Sequence, residues 1–200
     1  MREGFIEIRA NSYYGDPGVR QICHEVKQNE VPDLKQKAIE QIAENLVKRN
    51  FVKLGDVLIP APQHTGDAEY TKEIAELISG KTGAVVADVL KCTPHFSLYK
   101  ARKEGRSTDL RLYLTGKIPK GRNYFFIDNV ISTGQTFTEA NRLLQGKLKP
   151  LVYAVDETKS EELRNHGLIV KTSVIETIRR LREDQQGKEN KHSRVKKLER

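Results

Sequence analysis

The chain has 200 residues, 37% of them hydrophobic, with 35 Lys and Arg against 27 Asp and Glu and a formal net charge of +8. That is enough apolar material for one substantial core, while no run of about 18 apolar residues is available to span a bilayer and MREGFIEIRA lacks the long apolar stretch of a signal peptide. A soluble cytoplasmic protein without a membrane partner is expected, and Cys23 and Cys92, far apart and with no histidine at ligand spacing, point to ordinary thiols rather than a zinc site or a disulfide framework.

In chain order, GFIEIRA (4–10) alternates as a strand does, and YYGDPGVRQ after it reads as a turn-rich segment. Pro32 opens a helix, because Leu34, Ala38, Ile42 and Leu46 fall four apart and Ile39, Ala43 and Val47 widen the same stripe. DVLIPAP is a strand ending in prolines. Asp67 is placed to cap a helix carrying Ile74, Leu77 and Ile78, with Gly80 as its stop. AVVADVL and NYFFIDNV read as further central strands, followed by a helix from Gln135 to Leu144 that Gly146 ends. LVYAVDE makes a fourth strand of the set, and GLIVKTSVIE holds a fifth.

Short, continuously apolar strands separated by helices are what a parallel sheet covered on both faces requires, so the fold class expected is α/β, a central parallel sheet flanked by helices. The basic excess lies mostly at the end, since Arg179–Arg200 carries nine Lys and Arg against four Asp and Glu. With few apolar residues to pack, that tail is expected to be solvated or disordered; its alternative role is contact with nucleic acid through phosphates.

In such sheets ligands bind beyond the carboxyl ends of the strands. PAPQHTG (60–66), KCTPHFSLYKARKEGRS (91–107) and DNVISTGQT (128–136) all leave strand ends and are expected along one rim. The last delivers Ser132, Thr133, Gly134, Gln135 and Thr136 directly into a helix, an arrangement that aims backbone amides at an anion and adds hydroxyl donors. Gly134 is expected to let the backbone approach that anion closely. Asp128 and Asn129 stand at the end of the preceding apolar strand, where an acid can accept hydrogen bonds from the vicinal hydroxyls of a sugar whose phosphate lies in the turn.

YFFIDNVISTGQT resembles the phosphoribosyl-diphosphate-binding motif of the type I phosphoribosyltransferases. VLIPAPQHTGDAEYTKEIAELI followed by LKCTPHFSLYKARKEGRS is similar to the competence-protein F (ComF-like) branch of that family. The resemblance covers residues 54–157 and implies a phosphoribosyltransferase-like core (54–178), preceded by an appendage or hood (1–53) and followed by the basic tail (179–200). By position it implies that Asp128 and Asn129 contact the ribose hydroxyls and that Ser132–Thr136 hold the 5′-phosphate. It further implies that Ala61, Pro62 and Gln63 line a pyrophosphate loop, where family members often carry a cis peptide, made cheaper here by the Ala61–Pro62 bond. Lys91 would neutralise the pyrophosphate, and Lys100, Arg102, Lys103 and Arg106 would belong to a flexible loop that closes over the substrate. The implied cofactor is Mg²⁺, held through substrate and water and without a direct protein ligand set. The implied partners are phosphoribosyl diphosphate and a base or amine acceptor, and the implied assembly is a homodimer.

The departures are as informative. Asn129 replaces the second acid of the motif, Ser132 stands where 6-oxopurine-salvaging relatives carry an acid, and the four zinc-binding cysteines with which competence-protein F relatives begin are absent. Two functions are therefore carried forward. One is a Mg²⁺-dependent glycosyltransferase that moves ribose 5-phosphate to a nitrogen and releases pyrophosphate. The other is a non-catalytic nucleotide-binding or phosphoribosyl-diphosphate-binding regulator, or a DNA-processing accessory protein. His64, His95, Tyr13, Tyr14 and the Asp16-Pro17-Gly18 turn are secondary candidates around the same rim, each equally readable as surface or packing.

Overall fold

The protein is described by a computed structural model over residues 5–28, 31–96, 104–105 and 110–170. The first strand, β1 (Ile6–Tyr13), runs beyond the alternating stretch that announces it, and its Tyr14 amide still donates to Val155 O at 2.9 Å. The segment expected to be only a turn forms helix α1 (Pro17–Glu25). Asp16 accepts from the amides of Gly18 and Val19, and Pro17 supplies a helical φ at the first position. Helix α2 (Pro32–Lys48) follows the four-residue stripe and buries Ala38, Ile39, Ile42, Ala43 and Leu46, whereas Leu34 at its start is exposed.

Strand β2 (Val57–Pro60) is buried along its whole length. Helix α3 (Tyr70–Thr82) starts at Glu69 with no side-chain cap, so Asp67 does not cap it. It also passes through Gly80 and stops at Gly83, which takes the left-handed φ of 73° and returns its amide to Ser79 O. AVVADVL is divided: β3 (Val85–Val86) lies in the main sheet, while β4 (Leu90–Cys92) pairs antiparallel with β5 (Leu112–Leu114) in a separate two-stranded sheet. The remaining elements are β6 (Tyr124–Ile131), α4 (Gln135–Leu143), β7 (Leu148–Val155), a 3-10 turn at Glu157–Lys159, α5 (Ser160–Asn165) and β8 (Leu168–Val170).

Six strands form one sheet in the order β3-β2-β6-β7-β1-β8, and β3, β2, β6, β7 and β1 run parallel. The α/β class is therefore as expected, with α1, α2 and α3 packed on Leu58, Phe125, Ile127, Leu151 and Tyr153 of one face. On the other face Phe137 of α4 meets Phe126 edge to face at 5.6 Å. Residues 1–53 supply β1 inside this sheet together with α1 and α2, because the apolar faces of those helices find their partners in the sheet core. Residues 1–169 make up one compact unit, and the second unit, Val170–Arg200, which contains the basic tail, lies outside the described residues apart from Val170. No helix among the described residues is long and apolar enough to cross a membrane.

From β2 the chain moves outward to β3, and from β6 it moves the other way to β7. The order reverses between β2 and β6, so a crevice is expected beyond their carboxyl ends, where Ala61 and Asp128 emerge.

Candidate functional site

A cavity of about 740 Å³ occupies that crevice. Its floor is set by three strand exits. After β2, the Ala61 amide continues the ladder to Ile127 O at 2.9 Å and the chain turns through Pro62 and Gln63. After β6, the loop 132–134 delivers α4. After β7, Asp156 caps the 3-10 turn by accepting from the amide and hydroxyl of Thr158.

Ala61, Pro62, Gln63, Asp128, Ser132, Thr133, Gly134, Gln135 and Thr136 all line the cavity. The start of α4 has no side-chain cap and no acidic residue in its first turn, so its partial positive charge is not answered by its own side chains. Gly134 takes φ 81°, and a Cβ there would stand 2.4 Å from Leu168 Cδ1 and 3.3 Å from Leu163 Cδ2. The glycine is thus required by the α5–β8 segment packed behind the loop, and not by an approach from the cavity side. Among the described residues every peptide bond is trans, including Ala61–Pro62.

Asp128 is half-buried and accepts from the Asn129 amide at 2.8 Å. Burial pushes its carboxyl up to about 6, against the opposing pull of Lys27 and of the Asn129 and Val130 amides. Asn129 does not line the cavity. Neighbouring strand residues face opposite sides of a sheet, and the side chain of Asn129 turns into the core, where it accepts from the Tyr70 hydroxyl at 3.2 Å and donates to Cys23 O at 3.1 Å. Its expected contact with ribose hydroxyls is replaced by a bracing role under the strand end.

Lys91 is likewise not among the lining residues. It lies in the separate β4–β5 sheet, and its ammonium bonds Asp88 at 2.8 Å and Asp67 at 3.1 Å. Burial acts to lower its pKa, but the hydrogen bonds to Asp88 and Asp67 outweigh it and hold the group above its ordinary value. Lys91 therefore fastens the 61–67 loop to the small sheet, together with the Cys92 thiol donating to Gln63 O at 2.8 Å and the Cys92 amide donating to Gly66 O at 3.0 Å. Lys100, Arg102, Lys103 and Arg106 lie outside the described residues.

His64, His95 and Tyr14 do line the cavity, with the His95 amide donating to His64 O at 2.9 Å. Sequence reasoning missed His24, Lys27 and Lys35 on the opposite wall, and Tyr70, Asp156 and Lys159 elsewhere in the lining. Recognition of α1 from its Asp-Pro start and its apolar Val19, Ile22, Cys23 and Val26 was the available signal for the first group. Cys23 is no nucleophile, because burial pushes its thiol up to about 12.

Among the described residues no group of three His, Cys, Asp or Glu is arranged to hold a metal. The lining carboxylates are Asp128, Asp156 and Glu69, hard oxygen donors on separate strand exits. That lining suits a Mg²⁺ that keeps its waters and takes most of its ligands from a bound anion, and it does not suit a metal caged by protein.

No family model matches the chain, and no curated protein matches it. Among solved structures it is similar to UMP synthase of Leishmania donovani, with 17% identity and a TM-score of 0.37 over 75% of this chain. It spans 28% of the length of that protein. It is also similar to adenine phosphoribosyltransferase of Saccharomyces cerevisiae, solved with an imino-altritol bisphosphate and adenine, with 17% identity and a TM-score of 0.42 over 70% of this chain and 80% of that one.

Proposed function

We propose that the protein binds phosphoribosyl diphosphate in this cavity and transfers ribose 5-phosphate to a nitrogen of a base or amine, releasing pyrophosphate. The observation that carries the reading is the convergence of Asp128, the 132–136 loop and Ala61–Gln63 on one cavity at the strand-order reversal. In this reading the amides and hydroxyls of Ser132–Thr136 seat the 5′-phosphate at the positive end of α4. Asp128 accepts hydrogen bonds from the ribose hydroxyls, and the leaving pyrophosphate lies against Ala61, Pro62 and Gln63.

As the acceptor nitrogen's lone pair forms the bond to C1, the C1–O bond breaks and its electron pair departs with pyrophosphate. Positive charge grows on the sugar, close to the Asp128 carboxylate, and fixed dipoles in a partly dry cavity stabilise it without reorganising. Mg²⁺ bound to the diphosphate would supply neutralisation of the charge that leaves. Tyr70, Asn129 and Cys23 act behind Asp128 by fixing the strand end, and Lys91 acts behind the 61–67 loop through Asp67.

A second reading, a binder that does not turn the donor over, is favoured by one observation. Of Asp128, Asn129 and Lys91, expected together at the reacting centre, only Asp128 reaches the cavity. Mixing the protein with phosphoribosyl diphosphate, Mg²⁺ and a panel of bases, and measuring pyrophosphate release beside Asp128→Ala, separates the two. Release that depends on Asp128 and on an added base supports transfer. Stabilisation by the donor without release supports the binder, and release unchanged in Asp128→Ala counts against this site.

A further inference from the structure

The cavity wall formed by the first 35 residues differs in charge from the rest of the lining. It consists of Tyr14, His24, Val26, Lys27 and Lys35, so it carries two ammonium groups and no carboxylate. The acids of the cavity, Glu69, Asp128 and Asp156, all come from other elements. Asp156 is occupied in capping Thr158, and Glu69 accepts from the Thr65 hydroxyl at 3.2 Å. Asp128 answers Lys27 with at most one charge, so the wall retains an excess of positive charge facing the cavity.

The same wall presents two flat rings. The Tyr14 hydroxyl and His24 Nε2 are 3.0 Å apart, their ring centroids 6.2 Å apart, and Arg20 lies over the Tyr14 ring at 5.4 Å from its centroid. These contacts hold the rings in place before any ligand enters, which lowers the ordering cost of recognition. Val26, fully buried, backs the wall with an apolar surface.

We infer that this wall selects an acceptor whose aromatic ring carries a negative charge, a carboxylate in the simplest case, with Lys27 and Lys35 as its counter-charges and Tyr14 and His24 as its ring surface. The inference rests on the donor reading above for the identity of the other half of the cavity. It goes further in assigning the acceptor class and the residues that choose it. Neutral bases leave the two ammonium groups unanswered and gain only the ring contacts, whereas a carboxylate gains charge-assisted hydrogen bonds. Lys35 is the cleaner probe, because Lys27 also acts on Asp128.

The test compares matched pairs of ligands: uracil-6-carboxylate with uracil, nicotinate with nicotinamide, and anthranilate with aniline. Each is titrated by calorimetry into the full-length protein, with and without phosphoribosyl diphosphate and Mg²⁺, so acceptor binding is read independently of turnover. At least one carboxylate is expected to bind about tenfold or more tightly than its neutral partner, a ratio within reach of one charge-assisted hydrogen bond. That preference is expected to fall in Lys35→Gln, to be rescued in Lys35→Arg, and to weaken with added salt.

Equal or tighter binding of the neutral members overturns the inference, as does a carboxylate preference that Lys35→Gln and Lys27→Gln leave intact. So does the absence of binding by every carboxylate when the donor is bound. If the donor fails to bind while a carboxylate binds in a Lys35-dependent way, the donor reading falls and the assignment of this wall stands.

Discussion

The Tyr70 hydroxyl donates to Asn129 Oδ1 at 3.2 Å, inside the core, while Asn129 Nδ2 donates to Cys23 O at 3.1 Å. The amide is therefore used as both acceptor and donor, and the position tolerates no residue that can do only one of these. Restoring the second acid of the phosphoribosyl-diphosphate motif, Asn129→Asp, would set a carboxylate oxygen against the Cys23 carbonyl in a site 1% exposed. A loss of about 2–4 kcal/mol in urea unfolding is expected, by analogy with other buried, unpaired charges. An equally stable variant with higher activity would mean that Asn129 reaches the substrate after all.

The raised carboxyl of Asp128 carries a pH signature. Its folded pKa, about 6, lies above its ordinary value of 3.8, so between those values the folded state holds a proton that the unfolded state has lost. The group's cost to stability is absent below about pH 4, grows as pH rises through 6, and is complete at neutral pH. Asp128→Asn is expected to raise stability at pH 7.5 by about 1–2 kcal/mol, discounted for partial exposure, and to gain nothing at pH 4. Thermal unfolding of both proteins across this range checks the sign. If the same carboxylate grips the ribose, the variant that gains stability loses donor binding.

Gly134 is expected to resist substitution for a reason distinct from anion binding. In Gly134→Ala the methyl meets Leu168 Cδ1 at 2.4 Å on a backbone of φ 81°, so a loss of about 2–3 kcal/mol is expected from crowding and conformation together. Adding Leu168→Ala removes the crowding but leaves the φ penalty and a cavity. The double variant should therefore fall short of additivity, and strictly additive losses would contradict the packing account.

Lys91→Met tests the fastening of the 61–67 loop. Its ammonium is 17% exposed and bonds Asp88 and Asp67, so its removal leaves Asp88 partly buried with Lys72 at 3.4 Å as its remaining partner. A loss of about 1–2 kcal/mol is expected, with Lys91→Arg recovering part of it. Because the folded pKa is raised, the contribution is complete below the ordinary lysine pKa of 10.5 and is lost as pH climbs through the folded value. Weaker donor binding without loss of a separately measured acceptor affinity would agree with action through the loop.

Much of this arrangement was legible from the chain. YFFID is continuously apolar up to its acid, and SSTGQ-like chemistry is not needed to see that ISTGQT enters a helix; both β6 and α4 stand where the pattern puts them. AVVADVL reads as one strand because nothing local interrupts it, yet Val85 sits at the sheet edge and is 46% exposed, and Leu90 begins a different sheet. Tertiary pairing decided that division. Helix α1 was hidden behind Asp16-Pro17-Gly18, which serves a turn and a helix start equally well. The side to which Asn129 points depends on the phase of β6 against the helices, which depends on partners distant in sequence. The basic wall of the cavity was missed for the same reason, since Lys27 and Lys35 meet Asp128 only after β1 has joined β7.

The central claim is that main-chain amides at the start of α4 seat a sugar phosphate while Asp128 holds the same sugar. Titrating ribose 5-phosphate into isotope-labelled protein and following amide resonances by NMR addresses it directly. Saturable shifts concentrated at Ser132–Thr136 and Asp128, lost in Asp128→Ala for ribose 5-phosphate but retained for inorganic phosphate, are the result expected. Amides of that loop that stay unmoved at saturation, or shifts confined to another part of the protein, would contradict it.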